Sequence, residues 1–311
     1  MFPWGDDRRF NAYSRFCKVH YGGRVQKLPV DAGFSCPNRV SRMEGGCTYC
    51  ANAAFSPFYL SHNEDVAVQL ENGKRFFQRR YPSNNGYFAY FQSYTNTFAP
   101  IRVLREKFEA ALGVPGVKGL VVSTRPDCLP EAVLDYLSEL SQRTLLTVEL
   151  GVESFCDETF AHIRRGHTVE CVYDAFSRLS ERKISVCAHL IFGLPGETPA
   201  QWIEDVSKLN ELRPKFVKFH QLQIFKGTVM EREYADTPNR FHSFSADGYV
   251  HFVCDYLERL SPDIVIERFS AEVPPHYLAV SPWKFLRHDA LVRKIEEELA
   301  RRNTWQGVYL R

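Results

Sequence analysis

Several things are scarce in this chain, and each absence removes a class of protein. No apolar run is long enough to cross a bilayer, so no membrane span is predicted. The start, Met1-Phe2-Pro3-Trp4-Gly5-Asp6-Asp7-Arg8, lacks the apolar core of a signal peptide, and a cytoplasmic protein is the expectation. Neither sign of charge is in excess. Lys+Arg 39 against Asp+Glu 37 leaves a formal +2, so no global field advertises a nucleic-acid or membrane partner. Basic pairs such as Arg8-Arg9, Arg79-Arg80, Arg164-Arg165 and Arg301-Arg302 read as solvated surface. Internal repeats, low-complexity tracts and long linkers are missing too. The 311 residues suffice for one large α/β unit or two ordinary domains with a substantial core.

What is present in quantity is cysteine, nine in all. Six are lone residues at irregular spacing: Cys17, Cys128, Cys156, Cys171, Cys187 and Cys254. A secreted disulfide scaffold is shorter and denser, so these read as small buried hydrophobes in a reducing compartment. The other three, Cys36, Cys47 and Cys50, form a group. Cys47 and Cys50 are a Cys-x2-Cys pair, which sets two thiolates on one tight turn. Cys36 adds a third from across a gap of ten residues. Three ligands are one short of a closed structural zinc site. An iron–sulfur cluster on three thiolates keeps one iron open for something that reacts. Zinc with His20 or His62 as fourth ligand is the competing assignment, although a zinc ribbon needs a second close pair and there is none. A thioredoxin-like role for Cys47 and Cys50 leaves Cys36 without a purpose.

From residue 86 onward, apolar strands alternate with amphipathic helices. Strands are predicted over 87–91, 118–123, 144–150, 184–192 and 216–225, with one more over 25–30 ahead of Cys36. Helices are predicted over 101–112, 129–140, 169–182 and 199–212. In the second helix Leu129, Ala132, Val133, Tyr136, Leu137 and Leu140 recur with a 3.6-residue period and mark a buried face. Strands that are apolar throughout and separated by helices indicate a parallel sheet covered on both faces. Whether it closes partly into a barrel or lies open is not decided by periodicity. Beyond residue 226 two helices (246–260 and 288–302) flank a short strand at 263–267.

Chemistry gathers at the carboxyl ends of parallel strands, and this chain has polar residues there. They are the cysteine loop, Gln92 to Asn96, Ser123-Thr124-Arg125-Pro126-Asp127, Glu149 to Ser154, Phe192-Gly193-Leu194-Pro195-Gly196-Glu197-Thr198, and the set Lys218, His220, Gln221 and Gln223.

With these motifs in this order, the chain resembles the radical S-adenosylmethionine (SAM) superfamily. Within it, the likeness is to the bacterial YhcC type, related to the Elongator catalytic subunit. The usual signature is Cys-x3-Cys-x2-Cys. The ten-residue first gap here departs from it, and resembles the longer gap of the Elongator-like branch. The resemblance runs from about Lys27 to Thr228. It includes Arg164-Arg165-Gly166-His167, Phe192 to Thr198 and Lys226-Gly227-Thr228. It implies a partial (β/α)6 TIM-like barrel over 1–228, with a C-terminal helical/mixed extension over 229–311 packed on it. It implies a [4Fe–4S] cluster on Cys36, Cys47 and Cys50 and SAM on the open iron. Reductive cleavage of SAM would give a 5′-deoxyadenosyl radical that takes hydrogen from a substrate, and the electron would come from a flavodoxin- or ferredoxin-like donor. By analogy with the Elongator branch the substrate would be a tRNA base or another nucleic acid. The alternatives are a small molecule, as for porphyrinogen-oxidising relatives, and a non-catalytic zinc module that binds a partner.

The same resemblance suggests secondary residues. Gln92 and Asn96 would hold the methionine end of SAM. Glu149, Glu153 and Ser154 would lie near its carboxylate or ribose, and Arg164 would pair with the carboxylate. Gly193 and Pro195 would admit the adenine, Tyr49 would pack beside it, and His220 and Gln223 would face the substrate. Plainer assignments stand beside these. Gly193 to Gly196 also suits a simple turn, and Arg164-Arg165 suits a solvated helix end. Of Glu149 and Glu153, only one is expected to point inward. Asp127 fits a helix cap, His189 and Cys187 fit the core, and so does Cys171. The aromatics of 269–285, with Tyr277, Trp283 and Phe285, suit a cover over the open side, a base-stacking surface or core packing.

Overall fold

The computed structural model describes every residue except Met43, Phe58, Ser281, Pro282, Lys284, Phe285 and Arg311, and the side chain of Arg80. Seven strands form one sheet: β1 (Gln26–Val30), β2 (Tyr87–Phe91), β3 (Val117–Thr124), β4 (Leu145–Glu153), β5 (Ser185–Phe192), β6 (Phe216–Gln221) and β7 (Val265–Arg268). All pair in parallel, in the order β1-β2-β3-β4-β5-β6-β7. An open doubly wound sheet reverses its strand order at a switch point; this one never does. It curls instead. Lys27 on β1 reaches Glu267 on β7 at 2.6 Å, across the interior. The two edge strands share no ladder, so the result is a half-barrel with a seam.

The helices are α1 (Tyr13–His20), α2 (Val66–Arg80), α3 (Ile101–Leu112), α4 (Glu131–Arg143), α5 (Asp157–His162), α6 (Val169–Glu181), α7 (Pro199–Glu204), α8 (Val206–Leu212), α9 (Val229–Asp236), α10 (Ala246–Leu257) and α11 (His288–Arg301). The predicted 199–212 helix breaks at Asp205 into α7 and α8. Thr198 and Gln201 form a capping box at the start of α7. The buried face of α4 is Val133, Leu134, Tyr136, Leu137 and Leu140; Ala132 faces out. Each such side chain contributes about 1.5–3 kcal/mol by leaving water.

All six predicted barrel strands are present. The last of them ends at Gln221 rather than 225, and Phe225 pairs with Leu278 only as an isolated bridge. The short strand beyond residue 226 joins the sheet as β7, so the sheet crosses the boundary placed at 228. Helix α1, which periodicity did not single out, lies along β7, with Ile266 N–H donating to Asn11 C=O at 2.7 Å. All nine cysteines are free, and Cys17, Cys128, Cys187 and Cys254 are buried as expected of small hydrophobes.

Candidate functional site

The ten residues between Cys36 and Cys47 fold back on themselves. Arg39 bridges Gly45 antiparallel, and Gly46 N–H donates to Asn38 C=O at 2.8 Å. Gly46 sits at φ 102°, and a Cβ there would press on the Arg39 guanidinium at 3.1 Å. The hairpin thus delivers two side chains to the Cys-x2-Cys turn. Asn38 Nδ2 lies 3.3 Å from Cys47 Sγ, and Arg39 Nη2 lies 3.3 Å from Cys50 Sγ. Arg165 Nη1 (3.7 Å from Cys47) and Asn52 Nδ2 (3.6 Å from Cys50) complete a set of N–H donors aimed at sulfur. The turn itself is gripped from two sides. Thr48 N–H donates to Ile163 C=O at the end of α5, and Met230 N–H in α9 donates to Thr48 C=O, both at 3.0 Å.

Cys36, Cys47 and Cys50 line one cleft of about 210 Å³ at the carboxyl ends of the strands. Burial pushes the Cys50 thiol up. The cleft contains Arg125 and Arg165, and each leaves a buried nitrogen without a partner, Nη1 and Nε respectively. His220 Nε2 is unpartnered in the same wall. Soft thiols ringed by N–H donors, beside cations and unsatisfied polar atoms, fit an anionic metal–sulfur centre and a polar organic ligand. Neither His20 nor His62 lines the cleft, so zinc does not find its proposed fourth ligand there.

Several predicted residues meet at this cleft: Tyr49, Gln92, Glu149, Glu153 and His220. Both Glu149 and Glu153 line the cleft, against the expectation of one: a register shift between Gly151 and Glu153 and a left-handed φ of 65° at Glu153 break the regular alternation at the end of β4. Gln223 lies in an adjoining pocket with Tyr49, Cys50 and His220, and its Nε2 donates to Ala271 C=O at 3.0 Å. Others lie elsewhere. Asn96 Nδ2 latches Phe91 C=O to Ser123 C=O at 2.9 Å each, behind the cleft. Ser154 donates to Glu197, which also takes Trp202 Nε1, tying the end of β4 to the end of β5. Gly193 and Pro195 are buried outside the cleft wall.

Arg164 requires a correction. It closes α5 in the left-handed region (φ 55°) and is exposed, while Arg165 N–H returns to Phe160 C=O at 2.8 Å. The turn therefore directs Arg165 inward, where it meets Glu153 at 3.3 Å and Gly151 C=O at 2.6 Å. Any Cβ at Gly151 would collide with that guanidinium. Asp127 is also reassigned: it pairs with Arg125 through two contacts of 2.8 Å instead of capping a helix. Tyr277 lies beside Phe225, and Trp283 packs on Tyr249 with ring centroids 4.9 Å apart and the rings tilted by 34°, as core packing; Phe285 falls outside the described residues.

Beneath the cleft lies a network that sequence reasoning missed. Every strand supplies a member: Lys27, Tyr90, Ser123, Glu149, His189, Lys218 and Glu267. Glu149 is the hub. It meets Lys218, Lys27 at 2.7 Å, Tyr90 at 2.7 Å, and Ser123 and His189 at 3.0 Å each. Burial alone would raise its pKa, but the ammonium groups of Lys218 and Lys27 hold it well below the usual carboxylate range. The legible signal was a lysine inside each of two apolar strands, Lys27 and Lys218. Burial lowers His189 and His220, so both stay neutral. His189 is satisfied, as expected, though it lines the cleft.

A half-barrel of parallel strands with a three-cysteine loop after β1 defines the radical SAM class. The chain belongs to that family: residues 36–209 match the Radical SAM superfamily, and residues 214–301 match the Radical_SAM C-terminal domain. It is therefore an enzyme of a class that works with a [4Fe–4S] cluster and SAM. The uncharacterized protein YtqA of Bacillus subtilis is 36% identical over 310 residues, covering 99% of this chain and 95% of YtqA. YhcC of Escherichia coli is 34% identical, covering 85% and 84% respectively. A tRNA uridine(34) acetyltransferase of Dehalococcoides mccartyi is 26% identical over 58% of this chain and 38% of its own length. The solved archaeal Elp3 of Methanocaldococcus infernus shares the fold, with TM-score 0.69 at 16% identity over 91% of this chain and 64% of that one. Among the described residues no helix is long and apolar enough to cross a membrane.

Proposed function

We propose that Cys36, Cys47 and Cys50 hold the [4Fe–4S] cluster and that the remaining cleft receives SAM. The observation that carries this is the convergence of three thiols, four N–H donors to sulfur and two partly unsatisfied arginines in one cleft. Bound there, the cluster and SAM supply a 5′-deoxyadenosyl radical when one electron arrives from an external flavodoxin- or ferredoxin-like donor. The chain's own part is to bind, orient and shield. Asn38, Arg39, Asn52 and Arg165 offset negative charge on sulfur, and the gripped Thr48 turn fixes the thiols. Arg125 and Arg165 present cationic nitrogen to a carboxylate, and Tyr49 and Glu153 offer an aromatic face and an acceptor to a nucleoside. In this arrangement 1–228 carries the cofactor machinery, and 229–311 completes the wall with β7. The compartment is the cytoplasm.

We further take the hydrogen donor to be a tRNA nucleoside. Its support is the likeness to the tRNA uridine(34) acetyltransferase of Dehalococcoides mccartyi. The test has two parts. Protein reconstituted anaerobically with iron and sulfide should turn brown and release 5′-deoxyadenosine from SAM under reduction; a colourless protein with one zinc would sink the enzyme assignment. Deleting the gene and profiling tRNA nucleosides by mass spectrometry should show one missing. An unchanged profile would turn the search to small molecules.

A further inference from the structure

The half-barrel carries a second cavity on its side. At the seam between β1 and β7 lies a groove of about 800 Å³, walled by α1, residues 22–27, β7 and the start of α11. Among the described residues, only one side chain lines both this groove and the cysteine cleft, Arg268. Among the described residues it has no hydrogen bond and no ion pair, whereas Lys27, Lys218, Arg39, Arg125 and Arg165 all have partners.

Its position has a cause. β6 pairs Val217 with Ile266 and Lys218 with Arg268, so Glu267 is bulged out of register. Simple alternation would send Glu267 and Arg268 to opposite faces. The bulge turns both inward, a common use of bulges beside active sites. The Glu267 carboxylate goes to Lys27 and Lys218. The guanidinium of Arg268 is left near Tyr90, His220 and His288, none of which carries negative charge. Around it the groove adds Lys18 and Arg24, and Arg8, which is paired with Glu296 at 3.1 Å; the groove's one lining carboxylate, Glu267, is already matched by two ammonium groups. A planar guanidinium with its donors free, at the carboxyl end of a barrel strand, is a receptor for a planar or tetrahedral anion.

We propose that Arg268 anchors an anionic group of the substrate, a carboxylate or a phosphate, and that this substrate enters through the seam groove to face the cysteine cleft. The substrate role rests on the radical-enzyme assignment; the anion site itself does not.

The experiment uses the full, reconstituted chain and calorimetric titration with inorganic phosphate and, separately, succinate, at ionic strength fixed with potassium chloride. Wild type should bind one of the two, phosphate marking a nucleotide-like substrate and succinate a carboxylic acid. Arg268→Gln should weaken that binding roughly 10–100-fold, the worth of a charge-assisted bidentate contact. Arg268→Lys, which keeps the charge and loses the fork, should fall between, and it serves if the glutamine variant melts early by circular dichroism. No binding of either probe by wild type, or equal binding by wild type and both variants, would overturn the proposal. Wild type that binds the anion through Arg268 yet releases no 5′-deoxyadenosine would leave the site standing and refute the radical assignment alone.

Discussion

The floor of the half-barrel and its rim treat charge in opposite ways. On the floor, Lys27, Lys218, Glu149 and Glu267 sum to zero, and Tyr90, Ser123 and His189 take up further lone pairs and protons. At the rim, arginine nitrogens and a histidine nitrogen are buried with nothing to bond, and two of the three thiols, Cys47 and Cys50, collect donors from side chains. A closed network shapes and stiffens, because each member's removal strands another. An open one is poised for a ligand. Fixed charge beneath the site also sets the field in which its neutral histidines sit.

That contrast can be broken at either end. The largest effect belongs to the rim. Cys47→Ala should lose the brown cluster and bring 5′-deoxyadenosine release below detection, and retained iron absorbance would contradict its role. Next is the floor. Lys218→Met strands Glu149 and Glu267 and should cost about 3–5 kcal/mol in urea unfolding; a loss under about 1 kcal/mol would mean the network is loose. Arg165→Gln removes a donor to Cys47 and should lower iron retention roughly 10–100-fold, whereas Arg164→Gln should change it less than about twofold. Reversal of that order would restore Arg164 to the site.

The smallest effect is a pH slope. His220 is held well below its ordinary 6.5 by burial and the Arg268 charge. Below about pH 6.5 the unfolded imidazole gains a proton that the folded one refuses, so stability falls with pH by about 1.4 kcal/mol per unit for each such histidine. His220→Gln should lessen the acid-side slope by one proton. Glu149 has the opposite origin and a lower window: its contribution is present above its ordinary 4.5 and vanishes only well below it. An unchanged slope in the variant would show that His220 titrates normally.

The cluster loop and six strands were legible because their signals are local. Thiol spacing names a shared centre, and a run such as Leu120-Val121-Val122 names a strand buried on both faces. β7 was legible as a strand but not as the sheet's seventh member, since four residues carry no information about their neighbour. Arg164 and Arg165 are equivalent in the sequence until a left-handed turn at Arg164 decides which enters. The ion network was hidden for a different reason. Its partners lie as far apart in sequence as Lys27 and Glu267, and only curling of the sheet brings them together. Glu267 and Arg268 needed a bulge besides, which no pattern of period two would announce.

Three thiolates at the rim would leave one iron open to SAM. Electron paramagnetic resonance of the reduced, reconstituted protein, before and after SAM is added, tests this. Four irons per chain and a signal that shifts on addition of SAM are expected. A spectrum indifferent to SAM, or a protein holding a single zinc, would contradict the account.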